Sequence, residues 1–167
     1  MKKILFVCIG NICRSPLLHH LLKKKLELEG VGDQIVVDSC GISAWHVGED
    51  MDERMRLAAK QKGHNFELHK AKLFQREMLQ EYDYIFVVTK ELLDHLSQKA
   101  SSGEKSKILM ATHFSPSFKN EEIPDPYYGG QSHFDEIYQM IDTIVDETLA
   151  ALKKEFVNHE KEKNSFS

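Results

Sequence analysis

The sequence predicts an α/β fold: a single-domain, doubly wound, four-stranded parallel sheet with helices on both faces. Three observations predict it. Short apolar runs alternate with stretches of helical periodicity along most of the chain. Those runs (KKILFV, QIVVD, YIFVV) are continuous rather than alternating, as in strands covered on both sides. No repeat or linker divides the 167 residues, a length that suits one domain with a sizeable core.

Each element follows in order. Ile4–Cys8 is the first strand. Ser15 offers a side-chain cap and Pro16 sits where a first helical turn tolerates a missing N–H. Leu17, Leu18, Leu21, Leu22 and Leu26 then recur at helical spacing until Gly30 or Gly32. Gln34–Asp38 is the second strand, Cys40–Gly48 a loop, and Asp52–Lys62 a helix ended by Gly63. Leu73–Gln80 reads as a short helix and Tyr84–Val88 as the third strand, followed by a helix over Lys90–Lys99. Ala100–Lys105 is a polar loop before a short fourth strand, Lys107–Met110. Ala111–Gly130 is a long loop holding three of the four prolines, a length that suggests a function. Phe134, Ile137, Tyr138, Ile141, Ile144, Val145, Thr148 and Leu152 mark one face of a long amphipathic helix. The domain is expected over residues 1–155, with residues 156–167 a charged tail that frays.

Composition excludes several function classes. With 22 basic and 26 acidic residues the formal charge is −4, so no broad basic face advertises nucleic acid or an anionic membrane. An anion site must be local. The three cysteines, Cys8, Cys13 and Cys40, are too few for a disulfide scaffold and suit a reducing compartment. MKKILFVCIG imitates a secretion signal, but Asn11 and Arg14 interrupt it and no small-residue cleavage site follows. A cytoplasmic protein is expected.

The stretch VCIGNICRSP, residues 7–16, carries the chemistry. Cys8 stands at the carboxyl end of the first strand, where doubly wound sheets bind ligands. If residues 8–14 curl into a loop, their successive N–H groups form an anion nest. Gly10 can take positive φ at no steric cost, and Asn11 is the residue next most tolerant of that region. The helix terminus at Ser15 adds partial positive charge, and Arg14 adds a fork for two oxygens of a tetrahedral dianion. A thiol in that field should ionise readily. The plain alternative is a buried cysteine followed by a glycine turn. Against it, an arginine at a helix N-terminus opposes the helix dipole unless it faces an anion.

VCIGNICRSP resembles the signature of the low-molecular-weight protein tyrosine phosphatases. DSCGISAWHVG (38–48), HKA (69–71), YDYI (82–85) and IPDPYYGG (123–130) occur in that family's order and spacing, so the resemblance covers residues 1 to about 152. It implies a phosphate-binding loop of Cys8, Ile9, Gly10, Asn11, Ile12, Cys13, Arg14 and Ser15, with Cys8 as nucleophile and Arg14 as phosphate ligand. Asp125, between two prolines, would otherwise be read as a turn residue. The resemblance makes it the general acid, and then the base for the water that clears a cysteinyl-phosphate. Asn11, Ser15, Ser39 and His69 match residues whose hydrogen bonds hold the loop in shape. Ile9, Trp45, Tyr127 and Tyr128 match the pocket walls, and Cys13 matches a cysteine that can form a reversible disulfide with Cys8.

The implied activity is hydrolysis of phosphotyrosine in proteins, or of small aryl phosphates, releasing inorganic phosphate without cofactor or metal. No nucleic-acid or membrane partner is expected, and the chain is expected as a monomer or weak homo-oligomer. His19 and His20, adjacent on a helix, are not expected to share a face, and no metal site is read from them. One departure stands out. The family commonly carries Asp after YDYIFVV, and this chain has Thr89, which leaves the partner of Arg14 open. Two rivals use the same opening. Arsenate reductases of this fold need further cysteines downstream, and none follows Cys40. Phosphocarrier proteins must retain their phosphate, so Arg14 and Asp125 would be out of place in one.

Overall fold

In the computed structural model, residues 1–165 are described, with side chains described as far as Glu155. Strands β1 (Lys2–Cys8), β2 (Ile35–Gly41), β3 (Tyr84–Val87) and β4 (Ile108–Met110) form one parallel sheet in the order β2-β1-β3-β4. The helices are α1 (Arg14–Leu28), α2 (Glu53–Gln61), α3 (Met78–Glu81), α4 (Lys90–Lys99), α5 (Ser102–Lys105) and α6 (Gln131–Ser165).

Chain handedness sets the layers. The connection through α1 leads from β1 outward to β2, whereas α4 leads from β3 outward to β4 in the opposite direction. Right-handed crossovers therefore put α1 and α4 on opposite faces. Helix α6 packs on α1 and α2 and buries Phe134, Tyr138, Ile141, Ile144, Val145 and Leu152. Each such side chain, fully buried, contributes about 1.5–3 kcal/mol. Covered on both sides, Ile4–Cys8 and Ile85–Val88 are buried without a break, which is why they read as continuous apolar runs. Phe6 and Phe86 stack across β1 and β3 at 5.4 Å. Strand order reverses at β1, so Cys8 ends its strand beside the switch point.

The structure departs from expectation at several element ends. Strand β2 runs on through Cys40 and Gly41, which pair with Val7 and Cys8. The segment before α3 is not helical from Leu73. Instead Leu73 bridges Gly41, and Phe74 N–H donates to the Gly41 carbonyl at 2.7 Å. Residues expected as polar loop form α5, nucleated by a capping box between Ser101 and Glu104. Ser15 does not cap α1: the cap position is Cys13 and no side chain serves it. The helical backbone of α6 continues through the expected tail to Ser165, while Phe166 and Ser167 lie outside the described residues. Among the described residues, no helix is long and apolar enough to cross a membrane.

Thr89, whose place the resemblance would give to Asp, caps α4: its hydroxyl accepts from Leu92 N–H at 3.3 Å. Thr89→Ala should lower the unfolding free energy in urea by about 0.5–2 kcal/mol. An unchanged midpoint and slope would remove Thr89 from the capping role.

Candidate active site

The loop after β1 owes its shape to where its carbonyls go. Those of Cys8 and Ile9 accept from Ile42 and Ser43 N–H at 3.2 and 3.0 Å. The Asn11 carbonyl accepts from His69 Nε2 at 2.9 Å and that of Ile12 from Asp52 N–H at 2.8 Å. With these oxygens bonded to neighbouring segments, the Asn11 amide points at the Cys8 sulfur, as the amides of an anion nest point inward.

Asn11 makes the turn. Its φ is 57° and its side chain is fully buried. Its N–H donates to Cys8 Sγ at 3.2 Å, and its Nδ2 donates to Ser15 Oγ at 2.8 Å. Its Oδ1 accepts from Lys72 N–H at 3.1 Å. Ser15 Oγ accepts from Asn11 Nδ2 and lies 2.9 Å from Cys8 Sγ and 3.4 Å from the Cys40 carbonyl, so the sulfur is the nearer of two acceptors for its proton. The Asn11 N–H and the Ser15 hydroxyl therefore both face the Cys8 sulfur. Burial, first of all, pushes the Cys13 and Cys40 thiols up, so they stay protonated.

Gly10 does not use the freedom of positive φ; in this loop Asn11 alone makes the left-handed step. What Gly10 provides is room, because a Cβ there would lie 3.0 Å from His46 Cδ2. A more demanding glycine is Gly41 at the end of β2. A Cβ on it would meet the Ile9 carbonyl oxygen at 2.5 Å and Asn11 N at 3.0 Å, both backbone atoms.

Above the sulfur lies a cavity of about 300 Å³, lined by Cys8, Ile9, Gly10, Ile12, Cys13 and Arg14 from the loop. Ser43, Trp45, His46, Asp125, Tyr127 and Tyr128 complete it. Every residue expected as pocket wall is present, with Trp45 and Tyr128 largely exposed at its mouth. Arg14 is almost wholly buried. Its Nη1 donates to the Ile123 carbonyl at 3.0 Å, and its Nη2 lies 3.6 Å from Asp125 Oδ2. The anchor left open by Thr89 is thus a backbone carbonyl in the long loop. Asp125 is held in turn by Tyr127 N–H, which donates to Oδ1 at 3.0 Å.

Sequence reasoning did not reach four contributors. Gly41 and the Ile123 carbonyl act through backbone proximity. Arg54 lies over the rings of Phe134 and Tyr127 at 4.3 and 5.5 Å and donates to the Gly129 carbonyl, tying the Asp125 loop to α2. His46 sits in the cavity wall beside Gly10; it lies in the DSCGISAWHVG stretch, of which the resemblance singles out only Ser39 and Trp45.

Two expectations change. The Ser39 hydroxyl hydrogen-bonds His19 Nδ1 at 2.8 Å rather than a group of the loop. His19 and His20, expected to diverge, stack at 4.1 Å between ring centroids, and His20 Nε2 reaches His69 Nδ1 at 2.9 Å. A turn of roughly 100° between neighbours separates Cβ atoms, but rings on flexible χ angles still meet. Burial, first of all, lowers all three histidines, His20 to about 4, so the rings are neutral.

Comparison with known proteins shows the family of the chain. The family model for low molecular weight phosphotyrosine protein phosphatase matches residues 3–158. The pig low molecular weight phosphotyrosine protein phosphatase is 36% identical over 140 residues, 83% of this chain and 87% of its own length. The Bacillus subtilis low molecular weight protein-tyrosine-phosphatase YfkJ is 32% identical over 155 residues, 93% of this chain and 98% of its own. Among solved structures, the protein tyrosine phosphatase of Entamoeba histolytica superposes with a TM-score of 0.85 at 29% identity, over 92% of this chain and 98% of that one.

Gly41→Ala should weaken binding of inorganic phosphate at least tenfold by calorimetry, since the new methyl displaces backbone at Ile9 and Asn11. Wild-type affinity in that variant would show that the loop does not need the close approach of β2.

Proposed function

The chain belongs to the low molecular weight phosphotyrosine protein phosphatase family and is a protein-tyrosine phosphatase, and on that premise we propose that Cys8, Arg14 and Asp125 carry its reaction. The observation that supports this best is a single one. Arg14 and Asp125 meet 3.6 Å apart in a cavity whose lining includes the Cys8 side chain.

Cys8 attacks phosphorus as a thiolate, forming an S–P bond while the bond to the aryl oxygen breaks. Asp125 gives its proton to that departing oxygen, a step such an acid accelerates about 10²–10⁴-fold. Arg14 and the loop amides hold the non-bridging oxygens, on which negative charge stays throughout. A bound dianion draws the guanidinium from Asp125 to itself and leaves the carboxyl beside the leaving group. Water then attacks phosphorus, losing its proton to the Asp125 carboxylate. The S–P bond breaks, and inorganic phosphate leaves behind a thiolate stabilised by Ser15 and Asn11. Every proton and electron pair is carried by protein, substrate or water, so neither metal nor cofactor is called for.

Asn11, Ser15 and His69 position the loop, and Ser39 acts through His19 rather than on the loop. Ile9, Trp45, Tyr127 and Tyr128 flank the aryl ring, an apolar slot deep enough for phosphotyrosine and wasted on shorter phosphoserine. Substrates are phosphotyrosine-containing proteins and small aryl phosphates, met in a reducing cytoplasm. Cys13 shares the cavity with Cys8 and is its partner under oxidation. Peroxide converts the Cys8 thiolate to a sulfenic acid, and Cys13 condenses with it, releasing water and leaving a reducible disulfide. The domain so defined spans residues 1–155. The oxidoreductase alternative lacks any cysteine after Cys40, and a carrier has no use for Asp125.

Cys8→Ser should abolish hydrolysis of para-nitrophenyl phosphate measured in the presence of a chelator; undiminished turnover would falsify the thiolate mechanism. Asp125→Ala should lower kcat for phosphotyrosine about 10²–10⁴-fold with KM little changed. Equal kcat values across the acid range would take Asp125 out of proton transfer.

A further inference from the structure

Behind the phosphate loop, on the side away from the cavity, α1 and the 64–72 segment bring His19, His20 and His69 together. One ring nitrogen from each lies within 4.8 Å of the other two. We infer that these three histidines form a site for a single divalent transition ion of the zinc class, with water completing its coordination. Neither the phosphatase reaction nor its residues requires this site.

The geometry carries it. His20 Nε2 and His69 Nδ1 are 2.9 Å apart, and a tetrahedral ion with bonds near 2.0–2.1 Å separates its ligand nitrogens by about 3.3 Å. Their rings stand at 89°, so the two lone pairs approach from different planes. His69 is oriented as metal-bound histidines are. Its Nε2–H donates to the Asn11 carbonyl at 2.9 Å, which leaves Nδ1 bare. In the ion-free site His20 Nε2–H donates to that Nδ1, and an ion takes the place of this proton, which moves to His20 Nδ1 or to water. His19 is the ligand that turns: it is the most exposed of the three, it stacks on His20, and only Ser39 holds it.

The surrounding charge permits a cation. Of the nearby ammonium groups, Lys23 is paired with Glu67 at 3.0 Å and Lys72 with Asp38, while Lys24 is exposed to solvent. Asp50, which accepts from His69 N–H, balances the Arg56 guanidinium at 2.6 Å. A cavity bounded by His20, Lys23, Lys24, Glu27, Phe66 and Glu67 gives an approach from solvent. Once bound, the ion joins α1 and the His69 segment, and through the Asn11 carbonyl it bears on the phosphate loop.

The test uses the full chain with Cys8→Ser, which removes the competing thiolate. Cobalt(II) should bind at one equivalent, with the visible absorption of a four-coordinate nitrogen and oxygen site and no sulfur-to-metal charge-transfer band. His19→Gln with His20→Gln should weaken binding at least tenfold. Should that variant fold poorly, zinc added to the Cys8→Ser protein should shift the long-range proton–nitrogen signals of His19, His20 and His69. Binding that survives loss of both histidines, a sulfur charge-transfer band, or unmoved signals of these three rings would overturn the inference.

Discussion

The molecule turns on the buried, left-handed conformation of Asn11. A residue other than glycine occupies this region at a cost of about 1–2 kcal/mol, eased for asparagine because its short side chain bonds locally. Here every polar group of the residue is matched: N–H to sulfur, carbonyl to His69, Oδ1 to Lys72 N–H, Nδ2 to Ser15. At about 0.5–1.5 kcal/mol net for each hydrogen bond, these outweigh the strain. They also carry its consequence, since the reversed step is what aims an amide at Cys8. The sulfur, the Ser15 hydroxyl and the 69–72 segment are thus one hydrogen-bonded unit.

A second constraint comes from charge. The chain is net negative, so a dianion must be held by few groups in the right place. Arg14 supplies the cation at a helix N-terminus, where the helix dipole opposes it, and burial removes its access to water. The Ile123 carbonyl and the Asp125 side chain hold it in position. Because Pro124 follows Ile123, that residue is confined to extended backbone, and its carbonyl is a fixed acceptor. Arg54 does corresponding work on the far side of the same loop, packed on Tyr127 and Phe134 and bonded to Gly129. The long loop is therefore ordered from both ends, and the carboxylate it carries has a defined reach.

How much of this was legible in the sequence depended on whether the cause was local. The four strands, the leucine face of α1 and the apolar face of α6 follow from periodicity, which short segments carry by themselves. The cysteine–arginine loop was legible because its members are contiguous. Asp125 was not, for it stands 117 positions from Cys8 (125 − 8) and alone reads as a turn residue; only the company of other motifs singled it out. Ser15 reads both as a helix cap, the common use of its type, and as a residue whose hydrogen bonds hold the loop; its hydroxyl meets a buried sulfur and a buried amide and leaves the cap unserved. Gly41, the Ile123 carbonyl and the ring contacts of His19 and His20 were beyond reach. Each depends on two distant segments meeting, and no property of one segment records how closely another will pass.

If the Asn11 unit is what makes the loop an anion site, its side chain should matter more to turnover than to the fold. The most direct measurement is kcat/KM of Asn11→Ala with para-nitrophenyl phosphate, beside its far-ultraviolet circular dichroism. Losing two side-chain hydrogen bonds while keeping the strain should lower kcat/KM by about 10²-fold, with the spectrum unchanged. A wild-type kcat/KM in a protein of wild-type spectrum would contradict the account.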